Sequence, residues 1–182
     1  VIKPWHIVSS EPVVNCRIFR VRKDAVVNPR NGSPHDMFVI ENPGFMNVVP
    51  ITDDNRLILI EQWRHGTRQT HLETPGGLID EGETPADCAR RELLEETGYE
   101  AGKVERLGTV YPNPAIQNNQ QHFFLATGCR KIGEPQFDHA EDIVVRLVPV
   151  ADIPTLVRNG AINHALVIAG LHLYSLSASS RG

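Results

Sequence analysis

Cysteine is scarce in this chain of 182 residues: Cys16, Cys88 and Cys129 are odd in number, far apart and never spaced as CxxC. That argues against a disulfide framework or structural zinc and predicts a reduced, cytoplasmic setting. Long apolar runs are missing as well. The best one, ALVIAGLHLYSL at 165–176, is interrupted by His172 and falls short of the ~20 residues a membrane-spanning helix requires, so no membrane partner is expected. The opening stretch VIKPWHIVSSE lacks the basic-then-apolar plan of a signal peptide. No basic stripe stands out, which argues against a nucleic-acid partner. There is no GxxxxGK[ST] loop, no GxSxG, and no close zinc-type pair among the eight histidines.

What remains is the composition of an ordinary globular protein, 41% hydrophobic and 22% charged. Neither a repeat nor a long linker divides it, so one domain over 1–182 is expected. Within it, 1–42 would form N-terminal strands, 43–176 a core, and 177–182 a tail without regular structure. The net charge of −4 is unevenly spread. Between Glu73 and Glu100 nine acids face only Arg90 and Arg91, a local balance of −7, whereas the rest of the chain is at +3. A local excess needs a local reason.

Strand-like runs dominate the first half: 16–27, 36–42, 45–52 and 56–64, separated by turn residues at 28–34, 42–44 and 53–55. HLETPGG at 71–77 ends in a Gly-Gly loop. Further strands are expected at 104–112, 121–129 and 142–150. A short helix over 152–158 and a longer one from an Asn163 cap to about Leu176 would follow. The fold class is therefore α/β, a mixed sheet flanked by helices.

The best-specified element is a helix beginning after Thr84, a good N-cap, with Pro85 at its first position, Asp87 completing a capping box and Gly98 stopping it. Ala86, Ala89 and Leu93 share one face, and Glu92, Glu95 and Glu96 line the adjoining edge. Like charges at i+3 and i+4 repel by a few tenths of a kcal/mol per pair. Arg91 can relieve Glu95 at i+4, but Glu92 and Glu96 have no basic residue at i±4. A solvated charged face is the bland explanation. Carboxylates gathered at a core rim after a Gly-rich loop are also what a hard divalent cation requires, Mg²⁺ or Mn²⁺ with oxygen ligands.

The register of these residues is specific. GLIDEGETPADCARRELLEETGY, from Gly77 through Tyr99, resembles the 23-residue Nudix box, with Gly77, Glu83, Arg91, Glu92, Leu93, Glu95, Glu96 and Gly98 in place. Tyr99, at the final aliphatic position, is the one departure. The resemblance implies the Nudix fold, an α/β/α sandwich, and a hydrolase that cleaves a nucleoside diphosphate linked to another moiety with Mg²⁺ or Mn²⁺. It implies that Glu92 and Glu96 are metal ligands, that Glu95 is one directly or through water, and that the Gly76 carbonyl joins them. Arg91 would orient the carboxylates together with Glu83. The stretch FDHAEDIVV resembles the loop that carries the general base in ADP-ribose pyrophosphatases, which makes Glu141 the candidate base or metal-water ligand and His139 the second.

The substrate is read from looser features. IEQWRHGTRQTHLETPGG resembles the approach to the box in ADP-ribose and sugar-nucleotide hydrolases, and implies that Arg64 reaches the diphosphate. Pro114 lies close to a proline of that branch, but YPNPAIQNNQQH then departs from it. Gln117, Asn118 and Asn119 begin a run of amides suited to sugar hydroxyls; a plain polar loop is the alternative. The expected substrate is a nucleoside diphosphate sugar, ADP-ribose or GDP-mannose or similar. A nucleoside triphosphate or dinucleoside polyphosphate is the second enzymatic reading. A non-catalytic nucleotide-sugar sensor is the reading of another class, disfavoured because every Glu of the box is intact. The resemblance also implies a homodimer, with Trp5 and the 16–27 strand as candidates for its interface.

Overall fold

The structure, a computed structural model, describes residues 1–137 and 142–179. Contacts divide it into two compact units, 1–44 with 111–120 and 45–110 with 121–182.

The first unit is an antiparallel sheet of β1 (His6–Asn15), β2 (Arg20–Val27) and β3 (Pro34–Glu41), in that order. β2 lies within the strand-like run at 16–27, and β3 overlaps the one at 36–42 but begins two residues earlier, at Pro34. β1 lies in a stretch with no such signal, because all ten of its residues are exposed and no buried face imposes a period of two. Ion pairs tie the sheet together: Arg22 reaches both Asp24 and Glu41, and Lys23 reaches Glu11. The 111–120 segment is tethered to β3, with the Ile40 N–H donating to the Ile116 carbonyl at 2.7 Å.

The second unit is an eight-stranded mixed sheet between helices. Its strands are β4 (Phe45–Thr52), β5 (Arg56–Arg64), β6 (Gln69–Glu73), β7 (Gly76–Leu78), β8 (Tyr99–Glu100), β9 (Lys103–Val110), β10 (Gln121–Lys131) and β11 (Ile143–Pro149). The main path runs β11-β5-β4-β10-β8, with β6 on β5, β7 on β4 and β9 on β10. β4 and β10 pair in parallel; the other pairings are antiparallel. The helices are α1 (Pro85–Thr97), α2 (Ile153–Arg158) and α3 (Ala165–Ser179), and a 3₁₀ turn at Val150–Asp152 precedes α2.

Period-two alternation sorts the core into two layers. Met46, Val48, Ile58, Phe124 and Ala126 pack with Cys88, Ala89 and Leu93 of α1. Their neighbours Val49, Leu57, Leu59 and Leu125 pack with Val167 and Leu171 of α3. Each helix thus covers one face of the sheet, the α/β/α arrangement expected. Gly170 lets α3 approach closely, since a Cβ there would meet the Phe123 ring at 2.8 Å.

Three local expectations need correction. The Gly-Gly pair is not a loop: Gly76 and Gly77 are strand residues of β7, paired with Asn47 and Met46. The cap of α3 is not Asn163. The Leu166 N–H donates to His164 Nδ1 at 3.2 Å, while the Asn163 amide is taken up by His71. The tail does not begin at 177, because α3 continues through Ser179. Among the described residues no helix is long and apolar enough to cross a membrane.

Candidate functional site

α1 starts as its sequence dictates. Thr84 Oγ1 accepts from the Asp87 N–H at 3.2 Å and donates to the Asp87 carboxylate at 2.6 Å. It ends at Gly98, whose φ of 73° and close approach to the Gly133 carbonyl admit no side chain. Packing Cys88, Ala89 and Leu93 on the sheet turns Glu92 and Glu96 inward, and both are buried. Glu95, a third of a turn away, is half-exposed.

β7 fixes what these carboxylates face. The Gly76 N–H donates to Glu96 Oε2 at 2.9 Å. Gly77 has no room for a side chain, because a Cβ on it would lie 2.0 Å from Glu92 Oε1. The two glycines that begin the box and precede it therefore form the wall against which Glu92 and Glu96 rest.

Arg91 gathers the remaining acids. Its Nε and Nη2 make a fork on Glu83 at 2.9 and 3.0 Å, and Nη1 reaches Glu92 at 2.9 Å and Glu95 at 3.1 Å. The contact with Glu92 departs from helix-surface spacing, in which neighbours in sequence do not face each other. Glu92 is buried against β7 and one guanidinium nitrogen spans both acids. Hydrogen bonds from Arg91 hold Glu83 well below the usual carboxylate range, at about 2, and Glu83 in turn raises Arg91. Nη2 also donates to the Leu78 carbonyl and the Cys88 sulfur, which ties the guanidinium to β7 and to its own helix.

Could these groups hold a metal ion? In chemistry they fit: carboxylates and a backbone carbonyl are the hard oxygen donors that Mg²⁺ or Mn²⁺ selects. In arrangement, no three His, Cys, Asp or Glu side chains among the described residues are gathered so as to hold one. Arg91 and the Gly76 N–H draw the acids towards themselves, so an ion would have to compete with these two donors.

Beside this cluster lies a second one that sequence reasoning missed in part. Arg64, at the end of β5, makes a two-pronged ion pair with Glu73 of β6, both N···O distances 2.8 Å. Glu73 is buried. Burial raises its carboxyl, but hydrogen bonds and charge from Arg64, with smaller contributions from His164 and His71, leave it below its ordinary value. His71 bridges Thr67 at 2.6 Å and Asn163 at 2.8 Å. Burial lowers His164, against the pull of Glu73. The signal for Glu73 was present in LETPGG, just before the glycines; that for His71 and Asn163, 92 residues apart, was not.

The amide run is largely engaged with the protein. Asn118 Oδ1 accepts from the Asn42 N–H, Gln120 donates to the Tyr111 hydroxyl, and Gln117 forms a bridge with Ile40. Pro114 is exposed in a turn. Asn119 is buried, and its Oδ1 has no hydrogen-bond partner among the described residues. Gln121 is the first residue of β10, as the strand expected at 121–129 has it. Glu141 and His139 lie outside the described residues.

Comparison with known proteins gives a consistent result. An ADP-ribose pyrophosphatase of Mycobacterium tuberculosis is 32% identical over 166 residues, 90% of this chain and 80% of that one. A GDP-mannose pyrophosphatase of Citrobacter koseri is 32% identical over 127 residues, 66% of each chain. A crystal structure of an ADP compounds hydrolase superimposes with a TM-score of 0.89 at 26% identity, covering 100% of this chain and 98% of that one. The NUDIX domain family matches residues 44–171, the stretch that carries the box, α1 and the sheet beneath it. The chain belongs to the NUDIX family.

Proposed function

We propose that the protein hydrolyses the pyrophosphate bond of a nucleoside diphosphate sugar, ADP-ribose or GDP-mannose being the candidates, to a nucleoside monophosphate and a sugar phosphate. The observation that carries this reading is the pair of buried carboxylates, Glu92 and Glu96, seated on a β7 wall with no side chains. The names of the relatives support the substrate class. Glu92, Glu96 and the Gly76 carbonyl would hold Mg²⁺ or Mn²⁺, with Glu95 joining once Arg91 releases it. A bound divalent cation supplies charge compensation for the pyrophosphate and a lowered pKa for the attacking water. Arg91, locked by Glu83, sets the orientation of the acids. Arg64, pinned by Glu73, would present its guanidinium to the diphosphate. Glu141 is the proposed general base and His139 the second choice, on the sequence resemblance of their loop.

The test is Glu96→Gln, assayed across a panel of nucleotide sugars with product identification. Turnover should fall by orders of magnitude with circular dichroism unchanged. Near-normal metal-dependent turnover would sink the assignment.

A homodimer is part of the same proposal. In β1 the apolar residues Ile7, Val8, Val13 and Val14 are 45–62% exposed, and pairing with a second copy of the chain would cover apolar side chains there. Trp5 stacks edge-on against His35. Light scattering should give twice the 20.3 kDa chain mass, and Val8→Lys with Val13→Lys should return the monomer. A monomeric parent chain at micromolar concentration would reject it.

A further inference from the structure

Asn47 is a lone amide in an apolar strand, FMNVVPIT, where every neighbour along β4 from Val48 to Ile51 is buried. Such a residue is costly unless its polar atoms are satisfied. Its Nδ2 donates to the Thr74 carbonyl at 3.1 Å and lies 3.5 Å from the Pro75 carbonyl. Its Oδ1 accepts from Gln121 Nε2 at 2.9 Å. Gln121 is fully buried at the start of β10, next to β4 in the sheet. The Asn47 carboxamide, backed by that of Gln121 on the adjacent strand, thus ends on the two carbonyls that immediately precede Gly76.

The backbone continues the link. The Pro75 carbonyl also accepts from the Val48 N–H at 2.9 Å, and Asn47 is the register partner of Gly76. The chain presses so closely there that a Cβ on Gly76 would lie 2.6 Å from Asn47 Nδ2 and 2.3 Å from the Met46 carbonyl. One residue on, the Gly76 N–H holds Glu96. Gln121 Oε1 and Thr74 Oγ1 are buried without a hydrogen-bond partner among the described residues. Retaining such groups costs stability. A Leu or Met at 121 would fill the same space but leave Asn47 Oδ1 without its donor.

We infer that Asn47, braced by Gln121, is a positioning residue that fixes the Thr74–Gly76 backbone and thereby the Gly76 carbonyl and the Glu96 carboxylate as a preorganised pair for the metal. It touches neither ion nor substrate. The inference rests on the reading of Gly76 and Glu96 as metal ligands. Groups that orient metal ligands from behind are worth ten- to a hundredfold in metal affinity in other proteins.

Asn47→Asp is the sharpest variant, because it keeps shape and the bond from Gln121 but turns the donor towards Thr74 into a second acceptor. Gln121→Met removes the brace alone. Mn²⁺ affinity, read by titration calorimetry without substrate, and melting temperature without metal are measured for both. Leu171→Ala, in the core beneath α3 and outside the Gln121–Asn47–Gly76 linkage, serves as a control that lowers stability only. Mn²⁺ affinity should weaken on the order of tenfold in Asn47→Asp and by a smaller factor in Gln121→Met. In Leu171→Ala it should stay at the parent value. Parent-like Mn²⁺ affinity in Gln121→Met, which stands as the sole arbiter if Asn47→Asp does not fold, would overturn the inference. Glu96→Gln separates the two levels: if it binds Mn²⁺ like the parent, the metal reading fails and takes this inference with it. If it loses Mn²⁺ while Asn47→Asp and Gln121→Met do not, only this inference fails.

Discussion

Replacing Gly77 with Ala isolates the carboxylate wall from the fold. The new Cβ would lie 2.0 Å from Glu92 Oε1, 2.5 Å from its Cδ and 2.9 Å from Oε2. Ordinary contact is roughly 3.5 Å, so the carboxylate must retreat by about 1.5 Å. Every atom in the way is the far end of a flexible side chain, and Gly77 has no left-handed φ to strain an alanine. An off-rotamer Glu92 costs ~0.5–1.5 kcal/mol, and the stiffer unfolded chain of an Ala variant returns ~0.4–1 kcal/mol. The two nearly cancel. The melting temperature should stay within about 3 °C of the parent, because 1 kcal/mol moves a chain of this size by ~2–4 °C. Turnover should nevertheless fall about a hundredfold, the usual consequence of misplacing a reacting group by ~1 Å. Gly76→Ala makes the contrast. Its Cβ meets backbone, the Met46 carbonyl at 2.3 Å and the Asn47 Cα at 2.9 Å, so the strand itself must move. Overpacking of that kind costs ~1–3 kcal/mol and should lower melting by about 2–12 °C. Differential scanning fluorimetry and a Mg²⁺-dependent pyrophosphatase assay on both variants decide the matter. Parent-like turnover in Gly77→Ala, or a melting loss equal to that of Gly76→Ala, would refute the reasoning.

Two other substitutions test the ion pairs around the site. Glu83 is held at about 2 in the folded chain against 4.5 for a free side chain, so its contribution to stability is fully present above pH ~4.5 and is lost as pH falls towards 2. After discounting for solvent around Arg91, Glu83→Gln should cost about 1–2 kcal/mol at pH 7, and the gap from the parent should shrink to about a quarter of that by pH 2.5 in urea unfolding; a gap independent of pH would reject this account. Arg64→Lys replaces a planar fork with a point charge and leaves buried Glu73 with one prong. It should raise KM for a diphosphate substrate roughly tenfold and destabilise by ~1–3 kcal/mol. An unchanged KM would remove Arg64 from the binding proposal.

Much of this protein was legible in one dimension because the relevant physics is local. The spacing of Glu92, Glu95 and Glu96, the Thr84 cap, Pro85 and the Gly98 stop act within a few turns of one helix, where sequence distance and spatial distance agree. The apolar runs in 45–52 and 121–129 likewise announced strands, and both prove largely buried. β1 was missed because it buries no face, and the Gly-Gly strand because glycine signals a turn unless a neighbouring strand is known to need the space.

Local patterning yields a helix bearing acids in the register of a NUDIX box and a sheet with helices on both faces. What those acids rest against is set by long-range packing. Sheet register brings Asn47 opposite Gly76 and sets Gln121 behind it, seats Gly77 on Glu92, and lets Glu73 seize Arg64. Those pairings join residues 9 to 74 positions apart. They depend on contacts that no local pattern encodes, because a side chain's partner across a sheet is fixed by strand order and register rather than by its neighbours in the chain.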